Sequence, residues 1–215
     1  MDRTDEEQVE ALKRWWREYG TSVVAGVVLG LVALFGTKAW FDYQEGQAEA
    51  ASARYERLTT LLARGDAQLA VDLGDLLIEE HAGSSYATLA ALSLARHFVD
   101  AGKPEEARSR LQWAVAHAAT SGLGRVARLR LARLLLDSGD YAAALETLEK
   151  VPEGSPFEAL YAEARGDIHR ARGDAAAARE AYRAALAATG AGAGNRFLIR
   201  LKLDDLAAAE AESPS

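Results

Sequence analysis

Residues 132–151 read A-R-L-L-L-D-S-G-D-Y-A-A-A-L-E-T-L-E-K-V, a helix-forming stretch, a glycine turn and a second helix-forming stretch. Similar turns recur, spaced 37, 37 and 34 residues apart, at Gly65, Gly102, Gly139 and Gly173. An alanine lies five positions after each glycine: Ala70, Ala107, Ala144 and Ala178. Glycine tolerates the positive φ that ends a helix, and a small alanine keeps the next helix close. The pattern predicts helix pairs that bury their faces by stacking on neighbouring pairs.

The composition supports helices throughout this repeated region. Alanine is abundant, whereas valine, isoleucine and threonine are sparse beyond residue 45, which favours helices over strands. The segments between the glycines predict helices at about 44–63, 67–81, 86–101, 104–118, 123–138, 141–150, 157–172 and 175–188. Residues 152–156 are predicted as a turn, residues 189–194, T-G-A-G-A-G, as a flexible link, and residues 210–215 as a disordered tail.

The stretch after the link allows two interpretations. Apolar and charged residues alternate over residues 199–203, as in a strand, but no second strand is predicted to pair with it. Ile199, Leu203 and Leu206 also share one helical face. We therefore predict a helix from about 195 to 209 that caps the end of the stack.

This pattern resembles the tetratricopeptide repeat, whose period is 34 residues. The third and fourth units match it best, at Ala132, Leu135, Gly139, Tyr141, Ala144, Val151, Gly166, Gly173, Ala178, Tyr182 and Ala185. Gly74 and His169 depart from it, because large apolar residues are usual at those positions. The resemblance implies an all-α, tetratricopeptide-like helical solenoid over residues 42–209, with about four helix pairs and a C-terminal capping helix.

A second stretch predicts a membrane location. Residues 19–37 read Y-G-T-S-V-V-A-G-V-V-L-G-L-V-A-L-F-G-T and carry no charge. About 20 helical residues cross a hydrocarbon core of about 30 Å, so we predict a single N-terminal transmembrane helix over residues 19–41. Basic residues before it favour a cytoplasmic segment, residues 1–18, and an exported C-terminal domain. Aromatic residues at its edges are predicted interface anchors: Trp15, Trp16, Tyr19 and Trp40.

Other interpretations of this stretch are a secretory signal peptide and a buried helix of a soluble protein. A signal peptide would be cleaved near Ala48-Glu49-Ala50, although the run exceeds the ~7–15 residues of a usual signal core. Within the run, Gly26 and Gly30 form a G-x-x-x-G motif, which predicts membrane-helix packing. The simpler explanation of the motif is that glycine is common in membrane helices.

The sequence contains few groups that could carry chemistry. It has no cysteine, and its histidines are outside any zinc-binding motif: His81, His97, His117 and His169. It has neither a nucleophile elbow nor a phosphate-binding loop. A net charge of −7 argues against a nucleic-acid binder. We therefore predict that the protein is not an enzyme and takes no metal, cofactor, nucleic acid or small-molecule substrate.

The first helix of each pair lines the concave surface of a tetratricopeptide stack. Aligning the units on their glycines places there Leu92, Arg96, Val99, Asp100, Leu129, Arg133, Leu136, Asp137, Glu163, Asp167 and Arg170. This mixture suits an extended client segment or a partner loop, and the alternative is an ordinary solvated face. The lysine–asparagine pattern that grips C-terminal carboxylates in some such domains is missing, because Leu92 and Arg96 occupy its sites.

Segments near both ends of the chain resemble the YfgM family. They are D-E-E-Q-V-E-A-L-K-R-W-W-R-E-Y-G at residues 5–20, V-V-L-G-L at 27–31, Trp40 with Asp42-Tyr43, and L-K-L-D-D-L at 201–206. The resemblance covers nearly the full length of the chain. Its most specific part is the neighbourhood of the two adjacent tryptophans.

The resemblance implies an ancillary subunit of the bacterial SecYEG translocon, anchored once in the inner membrane, with a periplasmic tetratricopeptide-like domain. The implied partners are the translocon, a PpiD-like membrane-anchored prolyl isomerase, periplasmic chaperones, exported chains and the lipid bilayer. The alternative is a membrane-anchored scaffold for another cell-envelope complex, in cell division or cell-wall synthesis. The identity of the partners separates these two functions.

Overall fold

The computed structural model describes residues 3–148, 154–188 and 196–211. Within these ranges the chain forms nine α-helices and no strand, which confirms the predicted all-α class. The helices are α1 (Arg3–Arg64), α2 (Ala67–Glu80), α3 (Ser85–Asp100), α4 (Pro104–His117), α5 (Ser121–Asp137), α6 (Tyr141–Thr147), α7 (Glu158–Ala171), α8 (Ala175–Ala188) and α9 (Arg196–Ala211). Residues 1–50 and 51–215 form two compact units.

Helix α1 continues through the boundary at which a separate helix was predicted to begin. It has no break between Arg3 and Arg64, so the predicted start near residue 44 is wrong. Between residues 38 and 50 the residue with the lowest helix propensity is Gly46, and one glycine costs a helix only about 1 kcal/mol relative to alanine. Ala51 and Leu58, in the last part of α1, are fully buried in the core of the second unit.

The four glycine turns have the predicted backbone conformation. Their φ angles are 84°, 70°, 78° and 84° at Gly65, Gly102, Gly139 and Gly173. At Gly139 the amide donates to the Leu136 carbonyl (3.0 Å), and the Asp140 amide donates to the Leu135 carbonyl (2.9 Å). This pair of bonds is the Schellman motif, and the other three turns repeat it. The alanines five positions later, Ala70, Ala107, Ala144 and Ala178, are all fully buried.

The stacked helices form one continuous core between successive pairs. Helix α5 packs on α3, α4, α6 and α7, and most of the buried apolar residues belong to one cluster. Gly74 departs from the repeat pattern because Leu94 fills the space beside it. A Cβ built on Gly74 would lie 2.7 Å from Leu94 Cδ1. His169, the other departure, is partly buried, and its Nδ1 lies 3.8 Å from Asp174 Oδ2.

The C-terminal stretch is helical, as predicted. In α9, Ile199 and Leu206 are buried in a second, smaller cluster together with Tyr182. The helix extends to Ala211 and so includes the first two residues of the predicted tail. The predicted link at 189–194, the start of the predicted turn at 152–153, the last four residues of the tail, Val151 and Asn195 all lie outside the described residues.

Replacing Ser84 with alanine is expected to lower the free energy of unfolding by about 1 kcal/mol. Ser84 is the N-cap of α3, and its Oγ accepts a hydrogen bond from the Ala87 amide at 3.0 Å. Urea unfolding of the full chain in detergent, followed by circular dichroism, measures the change. The matched control is Ser109→Ala in the exposed middle of α4, which is expected to be neutral or slightly stabilising. Equal stability of the two variants would contradict the capping role.

Candidate binding groove

Helices α3 and α5 lie side by side and form a groove of about 290 Å³. It is lined by Ala95, Arg96, Val99, Asp100, Leu111, Arg130, Arg133, Leu134 and Asp137. Five of these were predicted to line the concave surface: Arg96, Val99, Asp100, Arg133 and Asp137. They come together because residues three and four positions apart share one face of a helix, and the two helices bring those faces next to each other.

The groove has charged walls and an apolar floor. Arg96 lies 3.6 Å from Asp100, and both side chains are largely exposed, so this pair contributes little to stability. Arg130, on α5, donates a hydrogen bond of 3.3 Å to the Leu92 carbonyl of α3. Val99 is 48% exposed, an open apolar surface beside these charges.

Three residues predicted to line the concave surface do not line this groove. Leu92 and Leu129 are only 4% and 6% exposed and belong to the core. Their apolar side chains pack between neighbouring helices, where burial stabilises them. Leu136 is half-buried and lines, with Arg133 and Asp167, a crevice of about 10 Å³ between α5 and α7.

In the fourth unit, the two acids predicted to line the concave surface form ion pairs with a lysine of α9. Lys202 Nζ donates to Glu163 Oε1 at 2.8 Å and to Asp167 Oδ1 and Oδ2 at 2.7 and 2.9 Å. The side chains of Lys202 and Glu163 are 16% and 5% exposed. The Tyr182 hydroxyl donates to Asp167 Oδ1 at 2.7 Å. Arg170, the last predicted residue of this unit, is exposed near the end of α7.

The environment of Tyr182 makes ionisation of its hydroxyl harder. Burial and the hydrogen bond to Asp167 raise the pKa of this hydroxyl above its ordinary value, so it remains a donor at physiological pH. Sequence reasoning missed Lys202, which lies 39 residues from Glu163. A lone lysine between two leucines was the available signal, but nothing local connects it with acids on α7.

The first unit presents apolar and aromatic side chains on α1. A segment of α1, Gln8–Arg64, is long and apolar enough to cross a membrane, and it is the one such segment in the described part of the chain. Trp15 lies near Trp16 and Tyr19, with ring centroids 6.4 and 6.1 Å apart, and Trp40 is exposed. A Cβ at Gly26 or Gly30 would meet nothing within 4 Å. A side chain at either position would therefore contact no other part of the described chain.

Comparisons with known proteins agree with this architecture. A family model described as a tetratricopeptide repeat-like domain matches residues 13–208. The chain is 34% identical to the ancillary SecYEG translocon subunit of Escherichia coli K12, over 84% of this chain and 86% of that protein. It is 30% identical to the protein of the same name from Aggregatibacter actinomycetemcomitans, over 94% and 97% of the two chains.

A solved structure of Pseudomonas aeruginosa PilF also has a similar fold. Its TM-score is 0.60 at 21% identity, over 78% of this chain and 72% of that one. The tetratricopeptide-like fold and the named relatives indicate a non-enzymatic scaffold protein. The chain belongs to the family of ancillary SecYEG translocon subunits, built on a tetratricopeptide repeat-like domain.

Proposed function

We propose that this protein is a membrane-anchored ancillary subunit of the SecYEG translocon that holds partner proteins close to the site of export. The observation that carries the proposal is 34% identity over 84% of the chain to a relative named for this association. In the proposed arrangement residues 1–18 are cytoplasmic, residues 19–41 span the inner membrane, and residues 42–209 lie in the periplasm. Anchoring raises the concentration of the repeat domain at the membrane surface and so strengthens weak contacts.

The anchor is proposed to remain attached to the mature protein. Helix α1 runs through the motif at 48–50 without interruption, so cleavage there would cut a continuous helix. Lys13, Arg14 and Arg17 before the apolar run favour a cytoplasmic N-terminus. Gly26 and Gly30 lie four residues apart and carry no side chain, which suits close packing on another membrane helix.

The proposed partners of the repeat domain are exported chains, periplasmic chaperones and a PpiD-like prolyl isomerase. The α3–α5 groove supports this part of the proposal, because it combines an apolar floor with charged walls open to solvent. Extended peptides bind such grooves through a few side-chain pockets and charge pairs. The groove is the proposed contact surface for these partners.

Photo-crosslinking in living cells tests this function. The photoreactive residue is placed at Val28 on the exposed membrane helix and at Val99 in the groove, which are 51% and 48% exposed. We expect translocon subunits to be captured at Val28, and chaperones or exported chains at Val99. Leu69, an exposed apolar residue on α2 away from the groove, is the matched control. Capture of only cell-division or cell-wall proteins would refute the proposed function and favour a scaffold for another cell-envelope complex.

A further inference from the structure

We propose that the α3–α5 groove binds an acidic, partly apolar segment from within a partner protein. This inference rests on the proposed function and adds the chemistry of the partner. Arg96, Arg130 and Arg133 line the groove against two aspartates, Asp100 and Asp137. A guanidinium binds carboxylates with paired, directional hydrogen bonds, so the groove favours carboxylate side chains.

The arginines of the groove are available to a partner. The Arg96–Asp100 pair is long, at 3.6 Å, and largely exposed, so a partner carboxylate can replace it at little cost. Among the described residues, Arg130 donates one hydrogen bond, to the Leu92 carbonyl, and a guanidinium has further donors for a partner. Arg133 has no ion pair within 4 Å among the residues that the structure describes.

Two acids of the predicted concave surface, on α7, are already paired within the chain. Glu163 and Asp167, on the inner face of α7, both accept hydrogen bonds from Lys202 of α9. A basic segment would have to displace a buried ion pair to reach them, which is costly. The open groove holds three arginines and two aspartates, Asp100 and Asp137, so it carries a formal excess of one positive charge. This local charge is the opposite of the net charge of −7 of the whole chain.

The dimensions of the groove set the size of the segment. Its volume of about 290 Å³ lies just below the range for ligand sites, about 300–1,000 Å³. Ala95, Leu111 and Leu134 form the floor, and Val99 lies open at the side. One or two aliphatic side chains of an extended segment fit this floor, with neighbouring carboxylates reaching the arginines.

Fluorescence anisotropy with synthetic peptides tests the inference. The full chain in nonionic-detergent micelles is titrated against a peptide of alternating leucine and aspartate with serine spacers, labelled with an uncharged fluorophore. The peptide is acetylated and amidated, so its side chains carry the only carboxylates. We expect it to bind at least tenfold more tightly than the same peptide with lysine for aspartate, and to weaken as salt screens the charges. Equal binding of both peptides, or binding only with a free C-terminal carboxylate, would overturn the inference.

Substitutions in the groove give the second readout. The double variant Arg130→Gln, Arg133→Gln is expected to weaken binding of the aspartate peptide at least about tenfold. The matched control is Arg183→Gln with Arg200→Gln, two exposed arginines outside the groove, and it is expected to bind normally. Circular dichroism checks that both variants fold. Unchanged binding by the folded groove variant would also overturn the inference.

The outcomes separate this inference from the proposed function. Capture of the translocon at Val28 does not involve the groove, so it can succeed where the peptide fails, and then only the partner chemistry is wrong. Acidic-peptide binding without capture of translocon subunits at Val28 would leave the groove chemistry standing and refute the association with the translocon.

Discussion

Replacing Gly166 with alanine is expected to lower the free energy of unfolding of the repeat domain by about 2–3 kcal/mol. A Cβ built at this position would lie 2.5 Å from Cδ1 and 3.0 Å from Cζ of Tyr182. The Tyr182 ring is fully buried, and its hydroxyl is held by Asp167. The ring cannot turn away, so α7 and α8 must separate to make room. For a domain of this size each kcal/mol lowers the Tm by about 2–4 °C.

The matched control for this substitution is Gly122→Ala. Gly122 is also helical, but a Cβ there would meet only Thr120 Oγ1 at 4.0 Å. Alanine is a better helix former than glycine by about 1 kcal/mol, so the control should be as stable as the wild type or more stable. Thermal unfolding of the two variants compares them directly. If Gly166→Ala unfolds at the temperature of the control, α7 and α8 do not approach each other as closely as described.

Replacing Lys202 with methionine is expected to destabilise the C-terminal end of the stack by about 3 kcal/mol. Removing one partner of a buried ion pair typically costs about 3–5 kcal/mol, because the other charge is left unpaired. We expect the lower end of this range of free energies, because the side chain of Asp167 is 25% exposed and can reach water. We expect the amides of α9 to lose protection against hydrogen exchange, which measures this local destabilisation.

Two further variants test the cause of this effect. Lys103→Met changes an exposed lysine and is expected to alter stability by no more than about 0.5 kcal/mol. Adding Glu163→Gln and Asp167→Asn to Lys202→Met removes the uncompensated charges, so part of the lost stability should return. Full protection of α9 in Lys202→Met would mean that the ion pairs with α7 do not hold this helix.

The turns and most helix ends were predictable because each depends on a few neighbouring residues. A glycine at positive φ ends a helix wherever it lies in the stack, and Gly65, Gly102, Gly139 and Gly173 do so. The observed bounds of α2, α3, α4, α5, α7 and α8 lie within two residues of those predicted. The end of α1 near Arg64 was predicted for the same reason. The predicted helix start near residue 44 was wrong, because no residue between 38 and 50 stops a helix and α1 continues through this segment.

The candidate site was only partly predictable. Spacing along each helix placed Arg96, Val99 and Asp100 on one face, and the structure brings that face beside Arg133 and Asp137. The same spacing does not say how deeply a residue is buried, since burial depends on the neighbouring helix. For that reason Leu92 and Leu129 were placed on the groove surface, whereas they belong to the core.

The sequence by itself determined the all-α class, the repeat, the glycine turns and the apolar stretch near the N-terminus, since these depend on residue type and local spacing. Only the tertiary structure decided which concave residues remain open. Lys202 reaches Glu163 and Asp167 because α9 folds back on the last helix pair. Contacts between residues 35 and 39 positions apart depend on how helices pack, and no local pattern encodes them.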